Sequence, residues 1–313
     1  MWGQKGVLRY DIGPLKHTPQ LALVANLHNN ELNGMFVLSR LAEFLQSIEA
    51  GKRRGLRLRE RVLIIPTVDV LHAMGRTQCH RSHCRIREAV SEVVMAMTRT
   101  AYYRVSICTA DSNIEEMPQV LLHMPNDDER ASACLFGLPA VVEQSDDSDE
   151  TSELVRAWRL HGGENFVIHA GQSGSLQPRH CETLFRALVA FLKHTGVIDG
   201  LRLADGEEDL HYFDRRQVCN VQAEQSGVFA SRLEVGRWIR AGEEVGQIYD
   251  GFTGDLRLRV IAPVAGLLAG LRRQPLLCVG DWVARILALD AALWRGAVQQ
   301  RSQGQHHERQ TAG

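Results

Sequence analysis

The 313-residue sequence lacks the features that mark membrane and exported proteins. No apolar run approaches the roughly 20 residues that a membrane-spanning helix needs. The N-terminal stretch MWGQKGVLRYDIG has no basic region followed by a long apolar segment, so it does not resemble a signal peptide. Positive and negative charges nearly balance, because the net charge is −1. We therefore expect a cytoplasmic protein with no nucleic-acid partner and no membrane partner.

The sequence also lacks the cysteine pairs that define common zinc motifs and small disulfide scaffolds. Its seven cysteines are an odd number in a long chain, and none of them forms a Cys-x-x-Cys pair. One loop does collect four metal-capable side chains, Cys79, His80, His83 and Cys84. Their spacing matches no standard zinc motif, so a second metal or thiol site and an irregular surface loop both stay open.

Short apolar runs alternate with amphipathic segments over the first two thirds of the chain. Short apolar runs predict buried strands at Leu21–Leu27 and Val62–Ile65, and two further strands are predicted at Tyr103–Cys108 and Phe166–Ile168. Helical spacing of apolar residues predicts helices over Leu32–Ile48 and Arg179–Lys193. This alternation indicates an α/β domain over residues 1–205, in which helices cover a largely parallel sheet.

The pattern changes after about residue 200, where short strand-like runs alternate with glycines. Many short strands with closely spaced turn signals predict a small all-β barrel or sandwich over residues 206–295. Its segment Ala262–Gly266 resembles biotinyl and lipoyl barrels, but no lysine follows Lys193, which excludes a modified-lysine swinging arm. The polar tail, residues 296–313, is expected to be disordered.

A His-x-x-Glu pair follows the first predicted strand, in ANLHNNELNG. His28 and Glu31 lie at the carboxyl end of that strand, on the turn into a helix, where open α/β sheets bind ligands. An imidazole nitrogen and a carboxylate oxygen can bind the same Zn²⁺. A histidine and a capping carboxylate also occur at ordinary helix starts. The pair alone therefore leaves a metal site and a structural role open.

The wider pattern resembles the succinylglutamate desuccinylase/aspartoacylase family, whose signature is His-Gly-(Asn/Asp)-Glu-x-x-Gly. His28, Asn30, Glu31 and Gly34 fit it, while Asn29 replaces the glycine. The further matches are Pro66, Gly75–Arg76, Met117–Val120, His169–Gly171, Thr195–Gly200, Ser226–Phe229, Gly242–Ile248, Ala262–Gly266 and Gly280–Asp281. The resemblance implies a zinc carboxypeptidase-like mixed sheet flanked by helices, followed by a small barrel-like β domain. It also implies that His28 and Glu31 are two of three protein ligands of Zn²⁺.

Two positions depart from the family pattern at the implied active site. Cys108 replaces the histidine that is the third zinc ligand in relatives. A thiolate is a competent zinc ligand, so a His28/Glu31/Cys108 site and a degraded site with a buried thiol are both open. His169 replaces the glutamate that acts as general base in relatives. This histidine is a candidate base, since its unperturbed pKa is roughly 6.5. It is alternatively an additional metal ligand, or a sign that catalysis is lost.

The implied substrate-binding loop is altered as well. Arg76 fits the arginine that helps bind substrate carboxylates in relatives, but the Asn-Arg pair expected after it is missing. Arg85 is a candidate replacement for the missing arginine. The resemblance therefore implies a small carboxylate-containing substrate or metabolite in a changed pocket. It leaves the oligomeric state open, a homo-oligomer included.

Three functions follow from these residues. The first is a metal-dependent hydrolase that cleaves the amide bond of an N-acyl amino acid or a related small carboxylate. The second is a non-catalytic relative that binds a metal, a metabolite or a protein partner. The third is a cysteine-based chemistry with Cys108 as nucleophile and His169 as base.

Overall fold

The computed structural model describes residues 7–25, 27, 30–68, 92–110, 113–144, 153–202 and 210–289. Their contacts divide the chain into two compact units. The first unit runs to Asp111 and resumes over Pro118–Tyr212, whereas the second consists of Ser112–Met117 and the chain from Phe213 onwards. The predicted domain limits at residues 205 and 295 stay predictions, and the predicted disordered tail lies outside the described residues.

Helices and strands alternate along the first part of the chain. The helices are α1 (Leu32–Glu49), α2 (92–98), α3 (Asp127–Ala133), α4 (Glu153–Arg159) and α5 (Pro178–His194). The strands are β1 (Leu8–Ile12), β2 (Leu21–Ala25), β3 (Arg57–Leu58), β4 (Val62–Thr67), β5 (Tyr103–Ala110), β6 (Ile114–His123), β7 (Ala140–Gln144), β8 (Glu164–Gln172), β9 (Ile198–Asp199) and β10 (His211–Phe213). Within the described ranges, no helix is both long and apolar enough to cross a membrane.

The first unit is built on one mixed sheet with the order β1-β4-β2-β5-β8-β6. The central strands β4, β2, β5 and β8 run parallel to one another, and β1 closes one edge in the antiparallel direction. Beyond β6, strand β7 pairs with it in parallel and β10 pairs with β7. The predicted α/β fold with a mixed sheet flanked by helices is confirmed.

Helices cover both faces of this sheet. On one face, alternate strand residues such as Val105 and Phe166 pack with α1 and α5 in one hydrophobic cluster. On the other face, the Arg104 guanidinium donates to the carbonyl of Trp158 at 3.0 Å. The Trp158 indole N–H in turn donates to Thr98 of α2 at 2.8 Å. Because both faces are covered, β2 is buried at every position, as expected for a parallel strand.

The second unit consists of antiparallel strands around its own core, as the closely spaced turn signals predict. The strands from Phe213 onwards are β11 (Val218–Gln222), β12 (Gly227–Ala230), β13 (Trp238–Ile239), β14 (Glu244–Tyr249), β15 (Leu256–Ile261), β16 (Gly266–Arg272), β17 (Leu276–Leu277) and β18 (Trp282–Ala288). One sheet has the order β15-β14-β12-β17. In the other, β16 lies between β18 and the first residues of β6. Phe229, Ile248, Leu268 and Ile286 belong to the shared hydrophobic core.

A buried ion pair lies inside the second unit. Glu116, in the segment of β6 that pairs with β16, accepts a hydrogen bond from Arg285 of β18 at 2.6 Å. The two side chains are only 3% and 9% exposed. Arg285 also donates to Asn220 of β11 at 3.2 Å, so one guanidinium connects three strands.

Candidate functional site

The candidate site lies where several parallel strands of the first unit end. β2, β5 and β8 are parallel neighbours, so their carboxyl ends meet at one edge of the sheet. Ligands of open α/β sheets bind at this edge. Glu31 follows β2, Cys108 lies near the end of β5, and His169 lies near the end of β8. The structure thus brings the three described candidates to the same edge.

Cys108 and His169 are direct partners in the parallel pairing of β5 with β8. Their strand neighbours Ile107 and Ile168 pack in the core beneath α1 and α5. Since side chains alternate along a strand, Cys108 and His169 point together to the opposite face. Both are buried, at 9% and 6% exposure. A thiol and an imidazole therefore lie side by side on neighbouring strands, whose spacing is about 4.8 Å.

The carboxylate of Glu31 comes to the same place from the start of α1. Glu31 is 3% exposed and does not cap its own helix. Its Oε1 instead accepts a hydrogen bond from the backbone N–H of Thr109, the residue after Cys108, at 3.4 Å. A buried carboxylate without a hydrogen bond is unfavourable. This bond therefore holds the start of α1, at Glu31, against the end of β5.

The Cys108 thiol is held in its protonated form by its surroundings. Burial raises the pKa of Cys108 most, and the negative charge of Glu31 raises that pKa further. A contact of 3.4 Å between the Cys108 Sγ and the Ser106 hydroxyl acts in the opposite direction. A cation bound here would reverse this balance, because metal coordination deprotonates a thiol outright. Without one, the raised pKa disfavours Cys108 as a nucleophile.

A close approach of helix to sheet sets the position of the Glu31 segment. A Cβ on Gly34 would lie 3.0 Å from the Ala25 side chain of β2 and 3.0 Å from that of Ile107. A side chain at the last position of the His-x-x-Glu-x-x-Gly pattern would therefore require these two neighbours to shift by a few tenths of an ångström. Just before the helix, Asn30 has a φ of 65°, and its carbonyl accepts from the N–H of Gly174 at 2.7 Å. The chain from Asn30 to Gly34 thus contacts both the strands of the sheet and the turn after β8.

Two amide side chains near the site were not predicted from the sequence. Asn33, in the first turn of α1, is fully buried and hydrogen-bonds to Gln177, the residue before α5. A sequence signal for Asn33 does exist: it begins the buried stripe that continues at Val37 and Leu41, where an apolar residue is expected. Gln177 carries no comparable signal, because it lies in a loop.

Several predicted site residues lie outside the described residues. They are His28, Arg76, Arg85, Cys79, His80, His83 and Cys84. Their roles therefore stay predictions. Among the residues that the structure does describe, no group of three or more His, Cys, Asp or Glu side chains is arranged to hold a metal ion. A metal site of three protein ligands would thus need a donor from outside this set, such as His28.

Comparison with solved structures identifies the class of fold. No protein-family model matches the sequence, and no curated protein matches it significantly. Over most of its length, however, the chain has the fold of the succinylglutamate desuccinylase/aspartoacylase structures. The resemblance in the sequence and the likeness in three dimensions therefore point to the same fold.

Three of these structures illustrate the likeness. A succinylglutamate desuccinylase from Silicibacter sp. TM1040 has a TM-score of 0.71 and 17% identity, covering 91% of this chain and 89% of that chain. A succinylglutamate desuccinylase/aspartoacylase from Rhodobacter sphaeroides has a TM-score of 0.68 and 19% identity, with coverages of 86% and 85%. The product-bound ectoine utilization protein EutE (DoeB) from Ruegeria pomeroyi has a TM-score of 0.67, 19% identity and the same coverages. At these identities the likeness establishes the fold alone.

Proposed function

We propose that this protein is a hydrolase of the desuccinylase/aspartoacylase type. The observation that carries the proposal is the pairing of Cys108 with His169 beside the Glu31 segment, at the carboxyl edge of the sheet. A group that transfers protons and two groups that bind metals are then adjacent, at the edge where such folds bind ligands. The likeness to desuccinylase and aspartoacylase structures supports the same class of reaction.

We further propose that the site depends on Zn²⁺, held by His28, Glu31 and Cys108. The chemistry of the two described donors fits this ion, because carboxylate oxygen and thiolate sulfur both bind zinc. The charge of Glu31 acts on the Cys108 thiol, which supports a site shared by these two side chains. When bound, zinc would polarise a carbonyl and lower the pKa of a bound water.

The other steps fall to residues of the chain. His169 would accept a proton from the attacking water and return it to the leaving amine, as a general base and then a general acid. Arg76 and Arg85 would hold a substrate carboxylate, since a guanidinium can bind it with two parallel hydrogen bonds. The substrate would accordingly be an N-acyl amino acid or a related small carboxylate. We keep three further points as proposals. They are a cytoplasmic location, the absence of nucleic-acid and membrane partners, and a homo-oligomeric state.

A second candidate is a non-catalytic relative that binds a metal, a metabolite or a protein partner. The observation that favours it is the simultaneous change at Cys108 and His169, the implied third-ligand and acid/base positions. The third candidate, with Cys108 as nucleophile, is disfavoured by burial and by the raised pKa of the thiol.

Elemental analysis of the purified protein separates these candidates. We expect about one Zn²⁺ per chain in the wild type and a marked loss in His28→Ala and Cys108→Ser. A protein without bound zinc would contradict the metal-dependent hydrolase. Each sample is then assayed on a panel of N-acyl amino acids. Bound zinc with no amide hydrolysis would instead favour the non-catalytic relative.

A further inference from the structure

Strand β8 carries an extra residue immediately after His169. The pairing with β5 advances by two residues on β5, from Cys108 to Ala110, while it advances by three on β8, from His169 to Gln172. Such a bulge leaves backbone groups out of the regular ladder, and bulges beside active sites re-aim a side chain. At this part of β8, contacts outside the ladder with β5 therefore contribute to its position.

Two side-chain amides bind the backbone of this bulge. The Asn33 Nδ2 donates to the carbonyl of Ala170 at 3.3 Å. The N–H of Gln172 donates to the Gln177 Oε1 at 2.9 Å. The residue between the two bonded backbone groups is Gly171. The pair thus holds the chain on both sides of that glycine, beginning one residue after His169.

The two amides also hold each other. The Asn33 Nδ2 donates to the Gln177 Oε1 at 3.0 Å, and the Gln177 backbone N–H donates to the Asn33 Oδ1 at 2.8 Å. The Asn33 Oδ1 accepts a further bond from the Cys181 thiol at 3.4 Å. Asn33 therefore uses both of its donors and both acceptor positions of its oxygen. A side chain that is fully buried and fully bonded has little freedom to move.

The space around the pair confirms how closely it encloses the bulge. A Cβ on Gly171 would lie 2.1 Å from the Asn33 Nδ2 and 2.2 Å from the Gln177 Oε1. Gly171 also has a φ of +82°, which other residues rarely adopt. Because no side chain separates them, the amides reach the backbone directly.

We propose that Asn33 and Gln177 are positioning residues that hold His169 in its place opposite Cys108. This inference rests on the proposed function, in which His169 transfers the proton. Asn33 follows Glu31 by two residues, so the same pair ties the strand end that bears the proton-transfer group to the segment that bears a candidate metal ligand. The pair acts through the backbone of β8 and does not take part in the chemistry.

Substitutions at Gln177 test the proposal, because this residue is only partly buried and the variants are expected to fold. Gln177→Met removes the acceptor at similar length, whereas Gln177→Glu keeps an oxygen that accepts from Asn33 and from Gln172. Gln46→Met makes the same chemical change on an exposed part of α1 and is the matched control. Hydrogen exchange of the Gln172 amide and the NMR signal of the His169 ring, assigned with His169→Gln, are measured together with hydrolysis.

We expect Gln177→Met to speed exchange of the Gln172 amide and to shift or broaden the His169 ring signal. We also expect it to lower kcat by ~10- to 100-fold with a smaller change in KM, because misplacing a catalytic group by about 1 Å has effects of this size. Gln46→Met should stay close to the wild type in all three measurements, and Gln177→Glu, which keeps the acceptor oxygen, should lie closer to the wild type than Gln177→Met. Faster exchange with an unchanged His169 signal would overturn the proposal. A wild-type protein without hydrolytic activity would contradict the proposed function instead, and the two NMR measurements would still decide whether the pair positions His169.

Discussion

Cys108 lies directly opposite His169 across the parallel strands β5 and β8, so a thiol and an imidazole share one face of the sheet at its carboxyl edge. Glu31 approaches the same edge from the start of α1 and accepts a hydrogen bond from the residue after Cys108. Under the proposed function the three side chains have different tasks, and the behaviour of His169 and of the Cys108 thiol can be tested separately.

The first prediction concerns His169. If it transfers the proton, His169→Gln should lower kcat for an N-acyl amino acid by ~10²- to 10⁴-fold, the usual contribution of general acid–base catalysis. His169→Glu introduces the carboxylate that the family resemblance implies at this position and should retain more activity than His169→Gln. His161→Gln changes an exposed histidine and should have no effect. Equal activity of His169→Gln and the wild type would exclude the role of His169.

The second prediction concerns the cysteines. Cys134 and Cys278 are exposed, whereas Cys108, Cys181 and Cys219 are buried. Burial raises the pKa of the thiols of Cys108, Cys134 and Cys181, so access to the reagent, and not the pKa, distinguishes Cys134 from the other two. A limiting amount of iodoacetamide at neutral pH should therefore label Cys134 and Cys278 well before the buried Cys108, Cys181 and Cys219. Peptide mass spectrometry measures the labelling of each cysteine.

Rapid labelling of Cys108 in the native protein would contradict this prediction. If that labelling also disappeared in His169→Gln, the cysteine-based chemistry would gain support, because the histidine would then be activating the thiol. Labelling of a urea-unfolded sample provides the control for complete reaction of every cysteine in the chain.

The third prediction compares Gly171, near the end of β8, with Gly174, in the turn that follows. Gly171→Ala places a Cβ about 2 Å from two bonded amide groups and forces an unfavourable φ, so we expect a loss of about 3 kcal/mol or more in the free energy of unfolding. Gly174 has a similar φ of +76° but open space around its Cβ position, so Gly174→Ala should lose only about 1 kcal/mol. Urea unfolding measures both, and equal losses would show that the amide pair yields to the new methyl group.

The fourth prediction concerns the buried pair of Glu116 and Arg285. Arg285→Met removes the cation and leaves a carboxylate that is 3% exposed, which typically destabilises a protein by ~3–5 kcal/mol. Arg259→Met breaks the ion pair of Arg259 with Glu244, in which the side chains of Arg259 and Glu244 are 62% and 38% exposed. This variant should change the free energy of unfolding by at most ~1 kcal/mol. Thermal unfolding of the two variants tests the contrast. A small effect of Arg285→Met would mean that the pair stabilises the unit little.

Local patterns were sufficient to predict the central strands and the two long helices. The predicted strand Val62–Ile65 falls within β4, and Tyr103–Cys108 falls within β5. Strand β4 is buried at every position, which makes its sequence continuously apolar from Val62 to Ile65. In β5, by contrast, the buried polar residues Arg104 and Ser106 alternate with apolar residues. The predicted helix Leu32–Ile48 coincides with α1 to within one residue. The His-x-x-Glu motif identified Glu31, and the resemblance to the desuccinylase/aspartoacylase pattern identified Cys108 and His169, as candidates that the fold brings to one edge.

The hydrogen bonding between Asn33 and Gln177 could not be predicted from the sequence, for a physical reason. Asn33 and Gln177 are 144 residues apart, and their bonds exist only once α1 and the loop before α5 pack against the end of β8. The bulge after His169 is equally hidden, since it depends on the register between β5 and β8. Periodicity describes one element at a time, whereas these features are properties of several elements together.

The pairing of the first residues of β6 with β16 limits how the chain can be cut into separately expressed fragments. A gene fragment that begins at Phe213 would not encode the whole second unit, because Ile114–Glu116 pair with Gly270–Arg272 of β16. Such a fragment would expose that edge of β16, and open strand edges promote aggregation. It would also leave Arg285 without the carboxylate of Glu116. A soluble excised unit would therefore need the early strand to be supplied again, either by fusion ahead of Phe213 or as a separate peptide.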